Sequence, residues 1–266
     1  MKKYYPGLTC ILLFLSLTII SWKAETIKKN FNTNPVKTHK AANSKELLSQ
    51  YLDDIYNTAQ LQQAGLDFVV FQKAVIGYFN LKAGNQVPQT SAVITIVDLA
   101  KSSASKRMWI IDLIDKSLLM QTWVAHGNGS GDDIPQYFSN FSDSHASSLG
   151  FYITNGVYNG KHGESLKLDG LDVGFNDNAR ARGIVIHGAK YVSPGTIDHL
   201  GRLGRSEGCP AVSAKLIKKV IGAIKGKTVM FINGNDYTYS SKYLDEDAAA
   251  NYVYPGQSSA SVNASL

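Results

Sequence analysis

The chain has 266 residues, 44% of them hydrophobic, which is enough apolar side chain to fill a sizeable core and suggests one main domain with an appended segment. Its formal net charge of +6 includes Lys2, Lys3 and Lys23; without residues 1–24, 24 basic side chains face 21 acidic ones. That excess of +3 is too mild to argue for nucleic acid.

The first residues read as an export signal or N-terminal anchor. A basic start at Lys2 and Lys3 leads into an apolar run from Leu8 to Trp22, short for a membrane span of about 20 apolar residues. Cleavage is expected near Ala24. Cys10 lies too early in the run for a lipid attachment site. Residues 25–42 are polar, without apolar period, and read as a flexible spacer.

Residues 43–88 form a helical N-terminal segment. Ser44 is expected to cap the first helix, with Leu48, Leu52 and Ile55 on one face. Gly65 separates it from a second helix, about Asp67 to Leu81, whose apolar positions include Phe68, Phe71, Val75 and Phe79. Their helical spacing makes them core. Residues 89–236 change texture. Strands are expected at Val93–Leu99, Met108–Leu113, Leu118–Val124, Gly150–Thr154, Gly183–His187 and Thr228–Ile232, with a hairpin turn at Ile114–Ser117. One helix interrupts them, capped by Ser213 and ended by Gly226. The stretches Ala125–Gly150 and Asn155–Arg182 are rich in Gly, Asn, Asp and Ser and read as long loops. Residues 237–266 read as a C-terminal tail, unstructured from Ala248 onward. No internal repeat is visible.

Once the signal is set aside, Cys209 is the one thiol left, in Arg205-Ser206-Glu207-Gly208-Cys209-Pro210. A lone thiol is either inert filling or a nucleophile. Its flanking residues are not core residues, which favours the nucleophile. A thiolate is the reactive form, and a nearby imidazole, backbone N–H groups or a helix start would lower the thiol's pKa. The helix expected from Ser213 would bring such a start close. Gly208 permits close backbone approach, and the Gly208 and Cys209 N–H groups would face a developing oxyanion. His187 ends an apolar strand, a rigid place for a base, and the Gly188 carbonyl would fix its tautomer.

The pair His187-Gly188 followed by Ser206-x-Gly208-Cys209 resembles the signature of the L,D-transpeptidase catalytic domain family (YkuD-like), and within it the murein L,D-transpeptidase catalytic domain-like branch. Supporting stretches are Val124-Ala125-His126-Gly127, Phe138-Ser139-Asn140, Ser147–Tyr152, Gly160-Lys161-His162-Gly163, Asn176–Ala179 with Arg182, and Gly204–Ala211. The resemblance runs from about Leu66 to Ile232. It implies a mainly β (α+β) fold, an L,D-transpeptidase-type β-sandwich with a few helices. It further implies an exported enzyme of the periplasm or cell envelope that acts on peptidoglycan stem peptides without metal or organic cofactor. Carried over, Cys209 is the nucleophile, His187 the base, Gly188 its orienter, and Gly208, Ser206 and Arg205 the oxyanion and loop support. His126, Asn140, Tyr152 and His162 are candidates for contact with substrate. Members commonly carry histidine where Glu207 stands, and Arg or Asn where Pro210-Ala211 stand. That leaves acceptor and outcome open.

Three functions compete: an L,D-transpeptidase working on tetrapeptide stems, an L,D-carboxypeptidase of the same fold, and a non-catalytic wall-binding module with a relict site. Papain-like chemistry needs cysteine before histidine, and sortase-like chemistry needs an arginine after the cysteine. Here His187 comes first and Arg205 is the last arginine of the chain. Arg180 and Arg182 are read as surface residues in weak ion pairs. No side chain suggests nucleic acid as a partner, and oligomeric state is not legible.

Overall fold

The computed structural model describes residues 43–256. The segments read from the sequence as an export signal or anchor (residues 1–24) and a spacer (25–42) lie outside these residues. Among the described residues no helix is long and apolar enough to cross a membrane.

Two helices lead. Helix α1, Ser44–Thr58, is capped not by Ser44 but by Asn43, whose side chain accepts from Glu46 N at 2.9 Å while Glu46 Oε2 accepts from Asn43 N at 3.1 Å. This reciprocal box satisfies two N–H groups that a helix start leaves without partners. Helix α2, Phe68–Ala83, starts on Asp67, which accepts from Val69 N and Val70 N. It is buried on most sides, as its nearly continuous apolar sequence requires.

Eight strands follow: β1 Val93–Asp98, β2 Met108–Asp112, β3 Ser117–Thr122, β4 Gly150–Gly160, β5 Gly163–Gly170, β6 Val185–Ala189, β7 Ala211–Ser213 and β8 Val229–Asn233. They form one sheet in the order β3-β2-β1-β8-β4-β5-β6-β7. The β1–β8 and β6–β7 pairs are parallel and the rest antiparallel. The chain leaving β3 bridges back to β7 through Ala125 and Ala211, so the sheet is nearly closed. Among the described residues the fold is mixed, with eight strands against five α-helices.

Alternation divides most buried strand residues between two cores, with Ala189 and Ala211 in a smaller third cluster. Ile94, Ile96, Trp109, Ile111, Phe151, Ile153, Val229 and Phe231 face α1, α2 and a C-terminal helix. Met108, Ile110, Tyr152, Leu166, Leu168, Ile186, Met230 and Ile232 face inward with helix α4, Ile217–Ile224. The second set fills the nearly closed sheet.

Several elements differ from the sequence reading. The stretch after Asn155 is a hairpin, not a loop: β4 runs on to Gly160 and turns through Lys161-His162 into β5. Ser213 ends β7 and does not cap α4, whose first residue is Ile217; its N-cap, Leu216, makes no side-chain bond. A short helix α3, Pro194–Leu200, precedes the cysteine loop. The tail contains helix α5, Glu246–Val253, capped by Asp245 and packed on α1 and α2 through Ala249 and Ala250. A stripe of alanines offers little hydrophobicity to read, but small side chains let helices approach closely.

Candidate active site

Strand β6 positions the histidine. Its parallel register with β7 sets His187 opposite Ala211, two residues after Cys209, and His187 N donates to Pro210 O at 3.4 Å. Both side chains line one cleft of about 440 Å³, walled also by Tyr158, Lys161, His162, Arg182, Tyr191, Arg205, Ser206 and Glu207. Arg180 lies elsewhere, paired with Asp169.

The His187 ring is held from two sides. Its Nδ1 lies 3.1 Å from the Gly188 carbonyl, which can only accept, so Nδ1 carries the proton and Nε2 keeps its lone pair. The ring of His162 stacks on it with centroids 4.2 Å apart and planes 20° apart. Burial lowers the basicity of His187; the Gly188 bond opposes this, and His162 and Lys161 add to it.

The cysteine loop is tied down by backbone and hydroxyl bonds. Ser206 N donates to His126 O at 2.9 Å, Asn128 N donates to Ser206 O at 2.8 Å, and Ser206 Oγ donates to Cys209 O at 2.6 Å. Ser147 Oγ donates to Gly208 O at 3.2 Å. Gly208 sits at φ +116°, and a Cβ there would meet Ala146 O at 2.9 Å, so glycine is required. Gly208 N–H donates to Ser206 Oγ at 3.2 Å. Of the two N–H groups expected to face an oxyanion, only that of Cys209 is without a partner among the described residues.

Cys209 is a free, half-buried thiol. Its Sγ accepts from Val185 N at 3.5 Å and faces Gly183 O at 3.8 Å. Burial pushes the thiol's pKa up, against the opposing pull of Val185 N–H, Arg182 and Lys161. The neighbours therefore do not lower it on balance, contrary to the sequence expectation, and the helix start invoked there begins eight residues away in the chain. Burial thus disfavours both the thiolate of Cys209 and the imidazolium of His187.

Arg182 corrects a second expectation. It is no surface residue: its Nη1 donates to Ser139 O at 2.6 Å and Ser148 Oγ at 3.3 Å, its Nη2 to Ala146 O at 2.6 Å and Ser144 Oγ at 3.2 Å. It fastens the 139–148 loop to the cleft wall. Arg205 Nη1 donates to Gly131 O at 2.9 Å and Asp132 Oδ1 at 2.8 Å, and Glu207 pairs with His145 and accepts from Asn128.

Of the four residues proposed to touch substrate, His162 lines the cleft and three do not. Tyr152 is fully buried with its hydroxyl bonded to Ser148. Asn140 binds Asp177 and Asn178. His126 is buried beneath the cysteine loop, its Nδ1 accepting from Arg107 at 2.8 Å. Tyr158, Tyr191 and Arg182 were missed; the symmetric Gly160-x-x-Gly163 before the Leu166/Leu168 alternation is the signal that would have placed Tyr158. Among the described residues no group of three or more His, Cys, Asp or Glu side chains gathers in a way that could hold a metal ion.

The family model for the L,D-transpeptidase catalytic domain matches residues 62–233. The chain belongs to that family. Among solved structures it is similar to an L,D-transpeptidase from Mycobacterium smegmatis (12% identity, 54% of this chain and 59% of that one, TM-score 0.33). It is also similar to an L,D-transpeptidase from Xylanimonas cellulosilytica (15%, 70% and 91%, 0.32) and to the helical cell shape determining protein Pgp2 from Campylobacter jejuni (14%, 61% and 54%, 0.36). The chain spans less than two thirds of the Mycobacterium smegmatis and Campylobacter jejuni chains. At these scores the likenesses carry no argument, and membership rests on the family match. No curated protein matches the chain.

Proposed function

We propose that the protein is an exported cysteine enzyme that remodels peptidoglycan, an L,D-transpeptidase acting on tetrapeptide stems through a Cys209 thioester. The observation that carries this reading is one cleft holding Cys209 and a His187 whose Nδ1–H is tied to the Gly188 carbonyl. Export is inferred from the basic start and the apolar run of residues 8–22.

His187 Nε2 takes the thiol proton as Sγ adds to the carbonyl carbon of the stem's third residue. The Cys209 N–H bonds the resulting oxyanion. The imidazolium then gives its proton to the nitrogen of the leaving D-alanine, the C–N bond breaks, and a thioester remains. An amine of a second stem attacks that thioester, His187 takes the amine proton, and the thiolate leaves and is reprotonated. Water in place of the amine gives the carboxypeptidase outcome.

The test is mass spectrometry of purified sacculi incubated with the protein, beside Cys209→Ala. Cross-linked dimers support the transpeptidase, tripeptides the carboxypeptidase, and unchanged sacculi the binding module. A carbapenem should add its mass to the wild-type chain and not to Cys209→Ala. No adduct, together with unchanged muropeptides, would end the reading.

A further inference from the structure

The β4–β5 hairpin supplies one wall of the cleft through Tyr158, Lys161 and His162. Beyond Thr154 every residue of β4 is exposed, the register shifts between Thr154 and Val157, and the turn Lys161-His162 lines the cleft that holds His187 and Cys209. His162 rests on His187, as described. Lys161, beside it, is exposed and lines the same cleft.

Besides His187, four basic side chains line that cleft: Lys161, His162, Arg182 and Arg205. Two arginines are engaged: Arg182 gives four N–H donors to the 139–148 loop, and Arg205 is paired with Asp132 and Gly131 O. His162 lies face to face with His187. Lys161 has no ion-pair partner among the described residues, and the cleft's one acid, Glu207, is held by His145 and Asn128. Lys161 is thus the one cation of the cleft free to bind a ligand. It lines the same cleft as Cys209 and His187.

The chemistry supplies the ligand. Resting on the reading above, the enzyme removes one residue from a free C-terminus. A free carboxylate then lies about one residue, ~3.5 Å, beyond the scissile bond, and an enzyme that ignored it would cut internal bonds as readily. We propose that Lys161 is the specificity-determining residue of this cleft and binds the terminal carboxylate of the donor peptide. The hairpin carries that ammonium over the substrate, so acyl transfer is directed to the last peptide bond. A lysine suits the task because its three N–H donors sit on a flexible stem and pair with a carboxylate from several directions.

The experiment compares a synthetic stem tetrapeptide acid with its C-terminal amide. Turnover is read on wild-type protein and on Lys161→Ala, Lys161→Glu and Lys161→Arg. Binding is read by calorimetry in a Cys209→Ala background, which does not require turnover. Wild type should prefer the acid by ~10-fold or more in kcat/KM, the loss expected when a charge-assisted bond is left unmade. The preference should vanish in Lys161→Ala, reverse in Lys161→Glu and survive in Lys161→Arg, with the change in KM more than in kcat. Calorimetry should show the same dependence on residue 161. Equal handling of acid and amide by wild type, or a preference that survives Lys161→Ala, overturns the proposal. So does calorimetry in which neither peptide binds. If the Cys209→Ala chain binds the acid through Lys161 but wild type transfers no acyl group, the proposed activity fails and the carboxylate site stands.

Discussion

The two ends of this molecule are held together by different physics. On the helix-covered face of the sheet, apolar side chains of β1, β2, β4 and β8 meet α1, α2 and α5 in one hydrophobic cluster. On the cleft side, two guanidinium groups collect backbone carbonyls. Arg107, fully buried, donates to Val124 O through Nε and Nη2, both at 3.1 Å, to Lys101 O at 2.6 Å, and to His126 Nδ1 at 2.8 Å. Arg182 does the same for the 139–148 loop. Apolar packing is non-directional and tolerates small shifts. Arginine forks fix loop backbones at defined angles, which a site built from loops needs.

The sharpest way to break the cleft side is therefore to remove Arg107. In Arg107→Met the carbonyls of Lys101 and Val124 and the His126 Nδ1 lose their donor in a buried place. Each such acceptor costs about 1–3 kcal/mol, so a loss of ~3–5 kcal/mol in unfolding free energy is expected, read by urea titration. An equal truncation cost with wild-type acylation by a carbapenem would show that the fork is not what aligns the cysteine loop.

The second prediction uses acid. His126 is held neutral: burial brings its pKa down to about 4, and Arg107 and Arg205 push the same way. The unfolded chain, with histidine near 6.5, binds more protons between pH 6.5 and about 4, so stability falls as pH falls through that window. The expected loss is ~3 kcal/mol at the acid end, and His126→Asn should remove most of the slope. A flat stability profile across that window would contradict it. His187 shifts in the same direction, so the acid limb of acylation should lie below 6.5.

How much was legible follows the same division. The helices α1 and α2 and strands β1, β2 and β8 announce themselves through period and β-branched runs, because burial on a regular element leaves a pattern. Cys209, His187 and Gly188 announce themselves through chemistry that glycine and thiol seldom serve in a core; the structure brings Cys209 and His187 to one cleft, and the Gly188 carbonyl holds the His187 ring. Arg107 and Arg182 leave no pattern. A buried arginine is written with the same letter as an exposed one, and its partners are carbonyls that any residue supplies. The hairpin tip was read as loop because Asn155-Gly156 and Asn159-Gly160 look like punctuation, although Lys161 and His162 occupy the turn they mark. Tyr152 and Asn140 belong to matching stretches yet serve the scaffold.

The comparison is sharpest when one substitution type is applied to both regions. Gly127 lies against the cysteine loop: a Cβ there would meet His145 O at 2.3 Å and Gly208 Cα at 2.7 Å. Gly77 lies on α2 against β4: a Cβ there would meet the Phe151 ring at 2.0 Å. Backbone cannot yield cheaply at the first site, so Gly127→Ala should displace the loop that carries Cys209. Misplacement of a reacting group by about 1 Å can cost ~10²-fold in rate, and carbapenem acylation should slow by that order. At Gly77 the methyl forces the ring and its stacked partner Phe231, 4.6 Å away, to shift together. Overpacking of this kind costs ~1–3 kcal/mol, and Gly77→Ala should lower the unfolding free energy from urea titration by that amount with acylation of the folded protein near wild type. If Gly77→Ala slowed acylation as much as Gly127→Ala, the two ends would be one mechanical unit, and the division between apolar and arginine-built regions would not describe how the site is held.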